Sequence, residues 1–185
     1  MNKRLVTVLG VVAIIVITAI YMYLGGLNKV EYSVERVSDY NLVGILFEGE
    51  GDSKDIETAF FEAKDYIDTN QLTGVLTLVH YNDTTIAEDI VKMFIGVKLE
   101  TGTSNIPEGY TRLTIPAKSA VRASIEAHNV VMPSPSTIED NLREKAEEAS
   151  LRIQDFTIEH YISENLLIID MPASSFQFNG NQKTE

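Results

Sequence analysis

Between Arg4 and Lys29 the chain has no acidic or basic side chain, and this gap constrains its architecture more than any other feature. Leu5 to Leu24 reads LVTVLGVVAIIVITAIYMYL, twenty residues dominated by Val, Ile and Leu. As a helix rising about 1.5 Å per residue, that run is roughly 30 Å long, matching the hydrocarbon core of a bilayer. Tyr21 and Tyr23 stand at its far end, where amphipathic rings favour the interface, and Gly25-Gly26 ends it. A cleaved signal peptide has a shorter apolar stretch, about 7–15 residues, followed by a small-x-small site. Tyr-Met-Tyr-Leu before the glycines offers no such site. The segment therefore reads as one transmembrane helix that anchors the remaining chain. Lys3 and Arg4 precede it, whereas Lys29 and Arg36 are diluted by Glu31 and Glu35. By the positive-inside rule the N-terminus is cytoplasmic and the chain after the span extracytoplasmic.

The anchor divides the sequence into a short N-terminus (1–4), the span (5–24), a linker (25–30), a domain (31–172) and a polar tail (173–185). The chain is acidic, with 27 Asp plus Glu against 15 Lys plus Arg and a formal charge of −12. That balance argues against non-specific nucleic-acid binding, which needs clustered basic residues on phosphates. There is no cysteine, so disulfides, thiol nucleophiles and thiolate metal ligands are excluded. His80, His128 and His160 have no ligand spacing, and no metal or cofactor is expected. Glycine-rich phosphate loops and a Gly-x-Ser-x-Gly elbow are also missing, which removes nucleotide and acyl-transfer chemistry.

Beyond the anchor, strand-like and helix-like stretches alternate. Tyr40–Glu48 reads as a strand. Ser53 opens a helix whose Ile56, Ala59, Phe60, Ala63 and Ile67 share one face. Thr73–Tyr81 and Met93–Leu99 are further strands, and Glu100–Gly109, with Gly102, Ser104, Asn105 and Pro107, is a connector. Tyr110–Ile115 and Lys118–Ala127 are strands separated by Pro116. A second helix is expected from Ser136, with Glu139 completing a capping box, and its charges at Glu139-Asp140 and Arg143–Lys145 form a solvated face. Ile153–Ser163 and Leu166–Met171 close the pattern as a hairpin. The prediction is an α+β domain: tandem β-α-β-β modules forming an antiparallel sheet, two helices on one face, the other face free to line a groove.

Several of these residues resemble the GyrI-like (effector-binding) family. Gly74–Leu99, GVLTLVHYNDTTIAEDIVKMFIGVKL, is similar to its first-half signature: a strand ending in Tyr81-Asn82-Asp83, a polar segment, and a strand carrying Gly96-Val97. In the second half, Phe156-Thr-Ile-Glu-His-Tyr and Leu166–Pro172 resemble its Glu-x-Tyr strand and closing strand. The likeness covers about residues 31–172. With the anchor it resembles a membrane-anchored subgroup that includes an animal ER-phagy receptor. The receptor role does not carry over, because the tail from Ser174 lacks the acidic aromatic-x-x-aliphatic pattern.

What the resemblance implies is two facing halves with a groove for small, lipophilic or cationic molecules, a glutamate lying at its floor. Glu159 matches that glutamate and Tyr161 the tyrosine after it. Strand alternation puts Thr157, Glu159 and Tyr161 on one face; from pattern alone Glu159 reads first as a solvent-facing strand residue, and the resemblance is what makes it a groove residue. In an aromatic groove its carboxylate would be desolvated and its pKa raised, suiting a cation or base catalysis. Tyr81 and Tyr110 are candidates for the groove wall, where aromatic faces attract cations, and read equally as ordinary sheet tyrosines. The expected function is membrane-anchored binding of a small molecule through Glu159, Tyr161, Tyr81 and Tyr110. The alternatives are a hydrolase of reactive electrophiles with Glu159 as general base, and a non-catalytic interaction adaptor with a filled groove.

Overall fold

A computed structural model describes residues 3–82, 85, 87, 89–100 and 105–174, the side chains of 3–5, 8 and 129 excepted. Asp83 of the Tyr-Asn-Asp motif, Gly102 and Ser104 of the connector, and tail residues 175–185 lie outside the described residues.

The N-terminal apolar run is helix α1 (Lys3–Tyr23), with Ile14 and Ile17 among its exposed side chains. Among the described residues no helix is long and apolar enough to cross a membrane, and the Leu5–Leu24 run is described only in part. A short polar strand β1 (Glu31–Arg36) comes next. Then come β2 (Tyr40–Glu50), α2 (Lys54–Asp68), β3 (Gly74–Tyr81) and β4 (Ile90–Leu99). After the connector, β5 (Thr111–Ile115) leads to β6 (Ser119–Glu126), α3 (Pro135–Glu148), β7 (Phe156–Ser163) and β8 (Leu166–Pro172). The expected repeat is present as β2-α2-β3-β4 and β6-α3-β7-β8. Every pairing is antiparallel, in one eight-stranded sheet ordered β1-β6-β8-β7-β3-β4-β2-β5. The central β3–β7 pair joins the two modules.

Both helices cover the same face. Leu78, Glu159 and Ile169 are direct cross-strand partners on β3, β7 and β8, so their side chains share one side. Leu78 belongs to the core under α2, with Ala59, Met93 and Ile95, and Ile169 to the core under α3, with Ile138, Leu142 and Ala146. Ser53 caps α2 as its sequence predicts, accepting a hydrogen bond from the Asp55 amide. The start of α3 differs from expectation: Ser134, not Ser136, is the cap, accepting from the Thr137 amide. Pro135 explains the shift. Its fixed φ and missing N–H suit the first helical position, which places the cap one residue before it.

The helix-free face is not an open groove, and here the sequence expectation is corrected. Tyr40 on β2 donates a 2.8 Å hydrogen bond to Asp170 on β8, four strands away in the sheet. In a flat sheet those strands would be roughly 19 Å apart. The sheet is therefore curled until this face closes on itself, burying Tyr40, Leu42, Val79, Phe94 and Ile158. The bend runs where side chains are smallest: Gly44, Gly96 and Thr77 are successive partners across β2, β4 and β3. A Cβ on Gly44 would stand 2.1 Å from the Ile95 carbonyl oxygen, and one on Gly96 2.1 Å from that of Val43. Only glycine permits this approach.

Asp170, fully buried, is the anchor of the closed face. Arg122 grips it with Nε at 2.7 Å and a second guanidinium nitrogen at 2.8 Å, alongside the Tyr40 hydroxyl. The Tyr40 ring stacks on His160 and carries Lys98 Nζ 5.2 Å above its centroid. Burial opposes the charge of Asp170, but Arg122 outweighs it and holds the carboxyl far below the usual range.

Candidate functional site

Strand alternation on β7 sends Thr157, Glu159 and Tyr161 under the helices and Phe156, Ile158 and His160 into the closed face. On β3 the same rule sends Leu76, Leu78 and His80 under the helices and Val79 and Tyr81 to the other side. Because Leu78 pairs with Glu159 and His80 with Thr157, His80 is the diagonal neighbour of Glu159. The β4 partner of His80 is Met93, and the β8 partner of Glu159 is Ile169, so the strands beside them are apolar on this face. Helix α3 roofs the spot with Pro135, Ile138 and Leu142. Between roof and sheet lies a cavity of about 270 Å³ whose polar lining is His80, Asn82, Glu139, Thr157 and Glu159.

Glu159 Oε2 accepts a 2.9 Å hydrogen bond from the Tyr161 hydroxyl and lies 3.5 Å from His80 Nε2. Oε1 accepts from no described residue. The Glu159 side chain is 18 % exposed and that of His80 34 %. The Tyr161 ring stands edge-on to Phe60 of α2, centroids 5.2 Å apart, so the aromatic pair fixes the hydroxyl that meets the carboxylate. At the mouth Asn82 Nδ2 donates to Glu139 Oε1 at 2.9 Å. Arg143 links the same oxygen to Asp155. Glu139 is thus part of a latch between α3 and the end of β3, not merely one charge on a solvated helix face.

Electrostatics at the site run opposite to the expectation of a raised Glu159 pKa. Burial does penalise the carboxylate, but His80 and the Tyr161 hydroxyl outweigh it, and the group sits below its ordinary value. For His80, burial works against protonation and Glu159 more than compensates, so its pKa lies above the ordinary histidine value. The Tyr161 hydroxyl is pushed up by burial and by the adjacent carboxylate, and remains a donor. What the residues build is an ionised carboxylate under an apolar roof, with a hydroxyl and a protonatable imidazole beside it.

Of the four residues singled out from sequence, Glu159 and Tyr161 come together. Tyr81 does not join them; it lies on the opposite side of the sheet, against Phe156, in an open hollow with Leu46, Lys92 and Asp155. Tyr110 is under the C-terminal end of α2, edge-on to Tyr66, its buried hydroxyl without a partner among the described residues. Burial pushes that hydroxyl's pKa up. Sequence reading missed His80, Asn82, Glu139 and the α3 roof. The signal for His80 was its place two residues beyond Leu78 on the apolar side of β3, which becomes informative only with the register of β7. Among the described residues there is no cluster of acidic and histidine side chains able to hold a metal ion.

No family model and no curated protein matches the chain. Solved structures do. The C-terminal domain of EcmrR is similar over 80 % of this chain and 99 % of that one, at 15 % identity and a TM-score of 0.54. EcmrR in its DNA complex aligns with 92 % of this chain and 70 % of its own, at 14 % identity and TM-score 0.57. A hydrolase from Listeria innocua aligns with 78 % of this chain and 92 % of its own, at 11 % identity and TM-score 0.53. At such identities the likeness is one of fold. It is consistent with the GyrI-like architecture that the sequence motifs implied.

Proposed function

We propose that this chain is a binding protein for small cations with an apolar body, and that α1 tethers it to a membrane. One observation carries the binding reading: Glu159, at the base of an apolar-roofed cavity of about 270 Å³, is held ionised and leaves one carboxylate oxygen without a described partner. A desolvated negative charge next to apolar surface favours a ligand that offers both a positive group and hydrocarbon. Tyr161 orients the carboxylate from below, and Ile138, Leu142 and Ile169 supply the apolar contact.

The fold is shared with proteins of different activity, a hydrolase among them, so the site has to decide between readings. A general base works best with a pKa near the operating pH. Glu159 departs from that in the wrong direction, which weighs against proton abstraction and in favour of charge pairing. The open cavity weighs against an adaptor whose groove is filled by its own side chains.

Support for the membrane reading comes from the 21-residue α1, whose exposed side chains are aliphatic over most of its length, and from Lys3 and Arg4 preceding the run. In this reading the N-terminus is cytoplasmic and the binding domain extracytoplasmic. The binding test compares melting temperatures of the full chain in nonionic detergent with benzyltrimethylammonium and with a neutral aromatic of the same size. Stabilisation by the cation alone, lost in Glu159→Gln, is the expected result. Equal shifts from both compounds, or a shift retained in the variant, would remove Glu159 from the site.

A further inference from the structure

The proposed cation site already holds a group that can carry positive charge. His80 Nε2 is buried and makes no hydrogen bond among the described residues; the nearest counter-charge there is Glu159 Oε2, 3.5 Å away on the cavity side. Among the described residues the groups facing it are few. From β7 come Thr157, Glu159 and the Tyr161 hydroxyl, and from α3 comes Glu139, already engaged by Arg143 and Asn82. From β4 comes uncharged Met93. Glu159 is the charge that acts on the imidazole.

A cation seated against Glu159 would share that carboxylate with a protonated His80. Two like charges at one partner in a partly buried cavity repel, and with a permanently charged ligand only the imidazole can relieve this by losing its proton. We propose that His80 is the resident counter-cation of the site, so that a ligand cation enters in exchange for the His80 Nε2 proton, which passes to solvent. The proposal rests on the reading of Glu159 as a cation acceptor. The N–H bond of the imidazolium is the only bond broken, the charge at Glu159 stays balanced before and after, and no other reactant is needed. His80 thereby sets specificity. A neutral ligand cannot replace its charge, and a cation binds more tightly as the pH rises through the His80 midpoint, by about tenfold per pH unit at most. Glu159 raises that midpoint above the ordinary histidine value, against the opposing effect of burial.

Benzyltrimethylammonium is a suitable probe because it cannot gain or lose a proton. Isothermal titration of the full chain in nonionic detergent, in phosphate and in Tris between about pH 5.5 and 8.5, separates binding heat from proton release. The expected result is release approaching one proton per cation below the His80 midpoint, with affinity rising and then levelling above it. His80→Gln should bind without proton release and without pH dependence. Should that variant fold poorly, the His80 ring followed by NMR in the unaltered protein gives the same answer, its midpoint falling when the site is saturated. Binding without proton release, or a His80 midpoint that the cation leaves unmoved, would overturn the exchange while leaving the cation site standing. No binding by any cation would overturn both.

Discussion

Replacing Asp170 with Asn removes the charge that pins the closed face while keeping the side chain's shape. In the native protein this fully buried carboxylate accepts two hydrogen bonds from Arg122 and one from Tyr40, at 2.7–2.8 Å. Asparagine offers one acceptor oxygen where there were two, and its amide hydrogens meet donors. The Arg122 side chain, 25 % exposed, would be left without an anion. Removing one partner of a buried ion pair costs about 3–5 kcal/mol, and the residual exposure of Arg122 favours the lower end, about 3 kcal/mol. At roughly 2–4 °C per kcal/mol for a domain of this size, the melting temperature should fall by about 6–12 °C. Urea unfolding of Asp170→Asn, Arg122→Met and the double variant tests the reasoning. The double variant should be more stable than Asp170→Asn alone, because no unpaired charge stays buried. Asp170→Asn within about 1 kcal/mol of wild type, or a double variant less stable than the single, would refute the role given to Asp170 in closing the curled sheet. Since Asp170 lies on the face opposite Glu159, cation binding by the folded variant should be unchanged.

Further predictions concern the site, the roof and the anchor. The folded-state pKa of His80 is raised, so its pairing with Glu159 stabilises the ligand-free protein fully below about pH 6.5 and is lost as pH rises through the higher folded value. Urea midpoints across pH 5–8 should show this decline in wild type and not in His80→Gln. Glu159→Gln should weaken benzyltrimethylammonium binding by about 30-fold or more, the consequence of removing one member of a desolvated charge pair. Ser134→Ala should cost about 1 kcal/mol through loss of the α3 cap, and Ser136→Ala much less; thermal melts of the two variants read this directly. The chain has no cysteine, so Asn165→Cys in the exposed β7–β8 turn provides one labelling site. A membrane-impermeant maleimide should label it in intact cells if the domain is extracytoplasmic, and only after lysis if the orientation is reversed.

Much of the fold was legible because periodicity is a local property. The apolar face of α2 and the alternation of β7 are written in a few consecutive residues. Strand β1 is not legible in the sequence because Glu-Tyr-Ser-Val-Glu-Arg is a polar edge strand with only partial burial, and its pairing with β6 supplies what its composition does not. The α3 cap is ambiguous in the sequence because two serines flank Pro135 and only backbone geometry chooses between them. The site was half legible. Glu159 and Tyr161 lie two residues apart on one strand, so alternation alone joins them. Tyr81 was one residue out of phase with His80, and a register shift of one moves a side chain through the sheet. The curl that closes the helix-free face depends on glycines on two different strands meeting, which no local pattern reveals.

The cation site is tested most directly by a crystal structure of the chain with benzyltrimethylammonium. The cation is expected under α3, its charged group against Glu159 and its ring against Ile138 and Leu142, with the His80 imidazole no longer paired to the carboxylate. A cation bound in the Tyr81 hollow or elsewhere on the sheet, with the Glu159 cavity empty and the His80–Glu159 contact intact, would contradict both the site and the exchange.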